Sequence, residues 1–141
     1  MGSTSSRSSV ALDVDDDGDL DLVTNEWSDH PQVLISNLSD KKRIHYLKIK
    51  LVGTVSNRDG LGATVKVHAA QPEGSSARGK IYTRYHDGKS GYLSQSSMPL
   101  YFGLGDASKI DRIELLWPSG KRQVLTEKIP TNTLLTITEE R

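Results

Sequence analysis

Short segments in which apolar and polar residues alternate dominate this chain. Within residues 45–52, Leu47, Ile49 and Leu51 alternate with Lys48 and Lys50. Because successive side chains of a β-strand point to opposite faces, this alternation predicts strands with one buried face. The segments with a strong or weak form of this pattern are residues 20–24, 32–37, 45–52, 63–69, 80–86, 100–102, 110–117, 122–125 and 133–138.

Turn-forming residues separate these predicted strands. Pro118-Ser119-Gly120 lies between two of them and predicts a tight hairpin, and Gly103-Leu104-Gly105-Asp106 predicts a turn after residue 102. No long stretch has a helical period, although one helical turn could form over residues 106–109. The pattern predicts an all-β protein of about eight or nine strands, folded as an antiparallel β-sandwich or a flattened barrel.

The composition restricts the class of protein. The chain has 141 residues, no cysteine, and 18 basic residues against 18 acidic ones. A neutral chain lacks the excess of lysine and arginine that nucleic-acid binding requires, so no nucleic-acid partner is expected. No apolar run approaches the roughly 20 residues that span a bilayer, so we expect no membrane insertion. Disulfides and cysteine nucleophiles are excluded.

The neutral total hides a concentrated acidic segment. Residues 13–21 carry a charge of −6, which leaves +6 for the rest of the chain. The segment fits the pattern D-x-D-x-D-G-x-x-D. Alternate residues of a tight loop turn their carboxylates inward, and Ca²⁺ prefers six to eight oxygen ligands. The pattern therefore predicts a calcium site formed by the side chains of Asp13, Asp15, Asp17 and Asp21 and the carbonyl group of Asp19.

The acidic segment has two alternatives to a calcium site. A solvated acidic turn without metal would leave six carboxylates to repel one another, which an opposing charge relieves. Magnesium is less well suited because its rigid octahedral shell accepts few protein ligands. Asp16 adds charge beyond the pattern, and Gly18 allows the backbone reversal that the loop needs.

The acidic segment and the residues after it resemble a known repeat. Residues 13–23 and 33–37 are similar to the calcium loop of the FG-GAP (VCBS-type) repeat, the blade unit of integrin-like β-propellers. The resemblance implies that residues 10–40 are part of one blade, an N-terminal β-hairpin that carries the acidic calcium-binding loop in a structural role. Residues 1–9 are rich in serine and are expected to be a leader or a disordered tail.

The remainder of the chain, residues 45–139, resembles an ASPIC/UnbV domain, which commonly follows FG-GAP repeats in secreted proteins. The resemblance implies a secreted, extracellular or cell-envelope setting at the end of a larger propeller protein, and it implies no reaction. The motifs that carry it lie in residues 46–53, 56–63, 90–95, 102–105 and 113–120.

Two loops within this region have side chains that could bind a ligand. Arg58 and Asp59, with Asn57, would present charge, or Asn57 and Asp59 could instead cap a turn. Tyr92 and Gln95 would suit a sugar, or Tyr92 could pack in the core while Gln95 satisfies backbone groups.

Enzyme motifs are incomplete. Gly88-Lys89-Ser90 lacks the upstream glycine of a phosphate-binding loop, and Gly103-Leu104-Gly105 lacks the third glycine of a dinucleotide fingerprint. We therefore expect no catalysis, but a noncatalytic, calcium-stabilised interaction or adhesion module with a protein or glycan partner at the cell surface. The alternatives are a carbohydrate-binding module that uses exposed aromatic rings, and an accessory or catalytic domain that acts on polysaccharide.

Overall fold

A computed structural model describes residues 5–71, 79–89, 91–96 and 99–141. Strands dominate this part of the chain, as predicted, and its one α-helix has a single turn. No helix in the described ranges is long and apolar enough to cross a membrane. The elements are β1 (Ser6–Leu12), β2 (Asp21–Glu26), β3 (Gln32–Leu34), α1 (Leu38–Lys41), β4 (His45–Val52), β5 (Thr64–Ala69), β6 (Ile81–Tyr85), β7 (Leu100–Gly105), β8 (Ile110–Leu116), β9 (Arg122–Leu125) and β10 (Leu134–Thr138).

The chain divides into two compact units. The first consists of Met1–Arg43 and Gly88–Met98, and the second of Ile44–Asp87 and Pro99–Arg141. Residues 88–98, which the sequence placed inside the C-terminal domain, therefore group with the N-terminal segment. Within the first unit, the backbone N–H of Ala11 donates to Ser96 Oγ at 3.3 Å.

The first unit contains a three-stranded sheet in the order β1-β2-β3, with both pairs antiparallel. The expectation of a disordered tail over residues 1–9 is wrong for residues 6–9, which belong to β1, and residues 1–4 lie outside the described part. The backbone of β1 pairs with β2, and Ser6 Oγ donates to the buried carboxylate of Glu26 at 2.7 Å. The hydroxyl group of Ser6 thus has a partner in the neighbouring strand, although the serines of β1 form no apolar pattern.

The second unit contains two open sheets, in the orders β10-β4-β7 and β6-β5-β8-β9. Their ends do not join, so the described strands form no closed barrel. The inward-facing side chains of both sheets form one core, as the alternation predicted. Its most deeply buried members are Leu47, Ile49, Ala63, Val65, Val67, Phe102, Leu104, Ile113, Leu115, Trp117 and Ile137. One pair departs from the antiparallel prediction, because β10 runs parallel to β4.

The two predicted turns of this unit have different outcomes. The hairpin at Pro118-Ser119-Gly120 is confirmed, since the N–H of Gly120 donates to the carbonyl of Trp117 at 2.9 Å between paired strands β8 and β9. The turn predicted at residues 103–105 is wrong. Strand β7 continues to Gly105, and the side chain of Leu104 within it is only 1% exposed. Gly103 and Gly105 remain paired with β4, with a shift in the pairing register between them.

Candidate functional site

The hairpin formed by β1 and β2 positions the acidic loop. Leu12 and Asp21 are partners in the last rung of the ladder, so Asp13 and Asp21 leave and enter the sheet side by side. The loop between them reverses direction through two left-handed residues, Asp16 with φ 61° and Gly18 with φ 94°. An aspartate tolerates this conformation better than most residues, and glycine adopts it without strain.

Three of the predicted metal ligands are brought together at the end of this hairpin. Carboxylate oxygens of Asp13, Asp15 and Asp21 all lie within 4.8 Å of one another. Asp21 is 1% exposed, and its two oxygens accept the N–H groups of Val14 at 2.8 Å and Ser36 at 2.7 Å. These hydrogen bonds fix the orientation of the buried Asp21 side chain, and the cluster could hold a metal ion.

The electrostatics of the cluster favour a cation. Partial desolvation raises the pKa of Asp15 above its ordinary value, and the negative charges of Asp17 and Asp21 raise it further. Each effect destabilises the carboxylate form of Asp15, and a bound cation would oppose both. Three carboxylate groups in a loop with alternating residues are the hard oxygen donors that divalent cations such as Ca²⁺ select.

Asp17 and Asp19 lie outside the three-aspartate cluster and hold the loop to α1. Asp17 accepts the N–H of Asp19 at 2.9 Å and the hydroxyl of Ser39, whose own N–H donates to Asp19 Oδ2 at 2.9 Å. Burial raises the pKa of Asp19, but hydrogen bonds led by that of the Ser39 backbone outweigh it and lower the pKa overall.

One carboxylate oxygen of Asp19 is buried without a hydrogen bond to another described residue. The side chain is 2% exposed, and the oxygen concerned is Oδ1. Sequence reasoning assigned only the carbonyl of Asp19 to a metal, and it missed Ser36 and Ser39 entirely. These serines lie 15 or more residues from the aspartates they contact, and no local pattern marks them.

The loop around Asn57 is organised by its own side chains. Asn57 Nδ2 donates to the carbonyl of Leu61 at 2.7 Å, and Asn57 Oδ1 accepts the N–H of Leu61 at 2.8 Å. The side chain of Arg58 is 88% exposed and pairs with the adjacent Asp59 at 3.2 Å, which lowers the pKa of that carboxyl. The turn-capping interpretation therefore accounts for Asn57, and the charged pair is exposed.

Tyr92 and Gln95 belong to the first unit, whereas Asn57, Arg58 and Asp59 belong to the second. Tyr92 is 75% exposed, so the interpretation that packed it in the core is wrong. Gln95 is exposed as well. The segment that carries them turns sharply, with an isolated bridge between Gly91 and Ser94, and Ser90 lies outside the described residues.

The family of the chain follows from residues 53–141. A family model described as "ASPIC and UnbV" matches residues 53–141, which is more than half of the chain. The chain belongs to the ASPIC and UnbV family. A search of curated proteins finds no match. The FG-GAP resemblance of the acidic segment stays a prediction.

The ASPIC/UnbV region contains a buried carboxylate that sequence reasoning missed. Glu139, just after β10, is 2% exposed. Its Oε2 accepts the backbone N–H groups of Thr54, Val55 and Ser56 at 3.0, 2.9 and 2.7 Å. Its Oε1 accepts the hydroxyls of Ser56 and Ser119 at 2.9 and 2.6 Å. We call this set of five donors the Glu139 nest.

The Glu139 nest reverses the usual effect of burial. Desolvation alone would raise the pKa of Glu139, but the hydrogen bonds from Ser119 and from the backbone of residues 54–56 lower it to about 2. In the ASPIC/UnbV domain this carboxylate ties the end of the chain to the loop that follows β4, so its role is structural.

Proposed function

We propose that this chain is a noncatalytic, extracellular interaction module from the C-terminal end of a larger propeller protein, stabilised by Ca²⁺ bound in the loop of residues 13–21. The observation that carries the proposal is the cluster of Asp13, Asp15 and Asp21 at the end of a paired β-hairpin. Membership of the ASPIC and UnbV family is compatible with an extracellular module of this kind.

The choice of calcium rests on the chemistry of the donors. All candidate ligands are oxygens, and the loop supplies several carboxylates at alternating positions, an arrangement that suits the flexible shell of Ca²⁺ better than the rigid octahedron of Mg²⁺. The loop also offers the carbonyl of Asp19 and its buried, unpaired Oδ1. The site would act by cancelling the repulsion among the clustered carboxylates of Asp13, Asp15 and Asp21, and it would take part in no reaction.

Thermal unfolding with Ca²⁺ and with a chelator tests the proposal. Sites in extracellular modules bind with a Kd of roughly 0.1–1 mM. Saturation at about 100 times Kd would stabilise the folded state by about 2.7 kcal/mol, a shift of several degrees in Tm. The shift should be smaller with Mg²⁺. Identical melting curves, together with no heat of calcium binding by calorimetry, would refute the calcium site.

A matched pair of variants assigns the effect to the cluster. Asp15→Asn removes one carboxylate of the cluster from an exposed position and should abolish most of the calcium-dependent shift in Tm. Asp40→Asn changes the same charge on exposed helix α1, outside the cluster, and should leave the shift intact. Equal loss in the two variants would mean that calcium responds to overall charge.

Exposed aromatic rings support carbohydrate as the partner of the module. Trp27, Tyr85 and Tyr92 are 65%, 62% and 75% exposed. Aromatic faces that remain in solvent can stack on the apolar face of a sugar ring. Arg7 already covers Trp27 at 4.8 Å from the ring centroid, which leaves the two tyrosines as the open platforms.

A further inference from the structure

The outward face of the sheet β6-β5-β8-β9 has a hollow that none of the sites above uses. Cross-strand partners point to the same face of a sheet, so the register places Lys66 beside Glu114, and Thr64 and Arg122 on either side of Leu116. The hollow has a volume of about 320 Å³, near the lower end of the roughly 300–1,000 Å³ of ligand pockets. The residues that line it are Thr64, Lys66, Glu114, Leu115, Leu116, Arg122 and Val124.

The charges on this face leave a cationic surplus at the hollow. Arg112 Nε donates to Glu114 Oε1 at 2.7 Å, and His68 Nε2 lies 2.9 Å from the same oxygen. The hydrogen bond from Arg112 is the main reason that the pKa of Glu114 is lowered. Glu114 is thus already paired, while the guanidinium group of Arg122 has no hydrogen bond or ion pair to another described residue. Lys66 and Arg122 therefore select an anionic occupant by charge complementarity.

The remaining groups of the hollow narrow the class of anion. Leu116 and Val124 are 44% and 56% exposed, so the hollow has an aliphatic floor. Thr64 contributes a hydroxyl, and its cross-strand partner Tyr85 brings an exposed ring to the edge. A simple inorganic anion would use the two cations and leave this apolar surface in water. A ligand that satisfies all of these groups has a carboxylate, several hydroxyls and an apolar face.

We propose that this hollow binds a uronic acid unit of an acidic polysaccharide. The carboxylate of the sugar lies between Lys66 and Arg122, its hydroxyls donate to Glu114 and exchange hydrogen bonds with Thr64, and its C–H face rests on Leu116 and Val124. The proposal names the partner of the interaction module, and it rests on the proposed function only in taking this chain to be such a module. The hollow lies wholly in the second unit and contains none of the calcium ligands.

Titration calorimetry of the full chain at low salt with a short oligogalacturonate tests the proposal, with the neutral galactose oligomer of equal length as the ligand control. Binding of the acidic oligomer and none of the neutral one is expected. Arg122→Gln and Lys66→Gln should each weaken binding about fivefold, the size of one exposed charge pair. Both side chains are exposed, so thermal unfolding should show that these variants fold as the parent does.

The control variant is Lys50→Gln, which removes the same charge from an exposed position on β4 of the other sheet. It should bind as the parent does. Three outcomes overturn the proposal: no binding by the parent chain, equal weakening in all three variants, or equally tight binding of a sulfated oligomer without uronic acid. Binding should persist in Asp15→Asn and in chelator, so failure of the calcium site and failure of the uronate site are distinguishable.

Discussion

Replacement of Gly53 by alanine should be the most damaging small substitution in the second unit. A Cβ atom built on Gly53 lies 2.1 Å from the backbone oxygen of Asn57 and 3.0 Å from that of Ser56. The opposing atoms belong to the backbone, so no side chain can rotate away. The loop is also held across its base, because the N–H of Gly53 donates to the carbonyl of Arg58 at 2.9 Å.

The cost of this substitution can be estimated from the geometry. Overpacking costs about 1–3 kcal/mol where side chains can adjust. Here the backbone must move by more than 1 Å to reach ordinary contact, and residues 54–56 of the same loop donate three N–H groups to Glu139. We therefore expect a loss near the upper end, about 3 kcal/mol, or roughly 12 °C or more in Tm for a unit of this size.

A matched glycine provides the control. A Cβ on Gly103 meets only Tyr101 Cε1 at 3.7 Å, which is ordinary contact. Gly103→Ala should therefore change Tm by a few degrees at most. The readout is the fluorescence of Trp117, which is 1% exposed and lies in the same unit, measured in a Trp27→Phe background. Equal midpoints for Gly53→Ala and Gly103→Ala would refute the steric argument.

Three further outcomes are expected. Glu139→Gln should lower Tm at neutral pH. The pKa of Glu139 falls from 4.5 in the unfolded chain to about 2 in the folded one, so its stabilisation is fully present above pH 4.5 and disappears as the pH falls through about 2. The difference in Tm between parent and variant should therefore narrow over that pH range in melting curves. Trp117 Nε1 donates to buried Gln123 at 2.9 Å, so Trp117→Phe leaves Gln123 Oε1 without this donor and should lower the free energy of unfolding by about 1–3 kcal/mol. Trp27→Phe should change it by less than about 0.5 kcal/mol, and urea unfolding measures both. Acrylamide should strongly quench the fluorescence of Trp27, which is 65% exposed, and only weakly that of Trp117. Steady-state fluorescence of the two single-tryptophan variants measures both.

The parts of the fold that could be predicted are those in which burial alternates along one strand. Strands β4 and β9 have the predicted bounds, because Leu47, Ile49 and Leu51 face the core while the residues between them face solvent. Strand β1 was missed because its serines carry no apolar signal, although their backbone pairs with β2 with one irregularity between Ser6 and Ser8. Helix α1 is a single turn, which is too short to show a period.

In the candidate sites, too, only the residues that lie close together in the sequence could be predicted. The ligands predicted in the acidic loop share one tight turn, so spacing alone nominated Asp13, Asp15, Asp17 and Asp21. The fold brings three of them, Asp13, Asp15 and Asp21, into one cluster. The Glu139 nest joins positions more than 80 residues apart, and its donors are mostly backbone N–H groups, which every residue has. The hollow beside Arg122 depends on the strand order β5-β8-β9, and alternation alone does not specify which strands are neighbours.

The chain accommodates two sets of carboxylates in different ways, and calcium should separate them. Glu139 is a single carboxylate with five hydrogen-bond donors from its own chain, so it needs no cation. Asp13, Asp15 and Asp21 place three carboxylates within 4.8 Å, and hydrogen bonds do not cancel the repulsion among three charges. Calcium should therefore raise Tm by the same increment in the parent and in Glu139→Gln, and by little in Asp15→Asn. A calcium increment that Glu139→Gln removes and Asp15→Asn retains would refute this division.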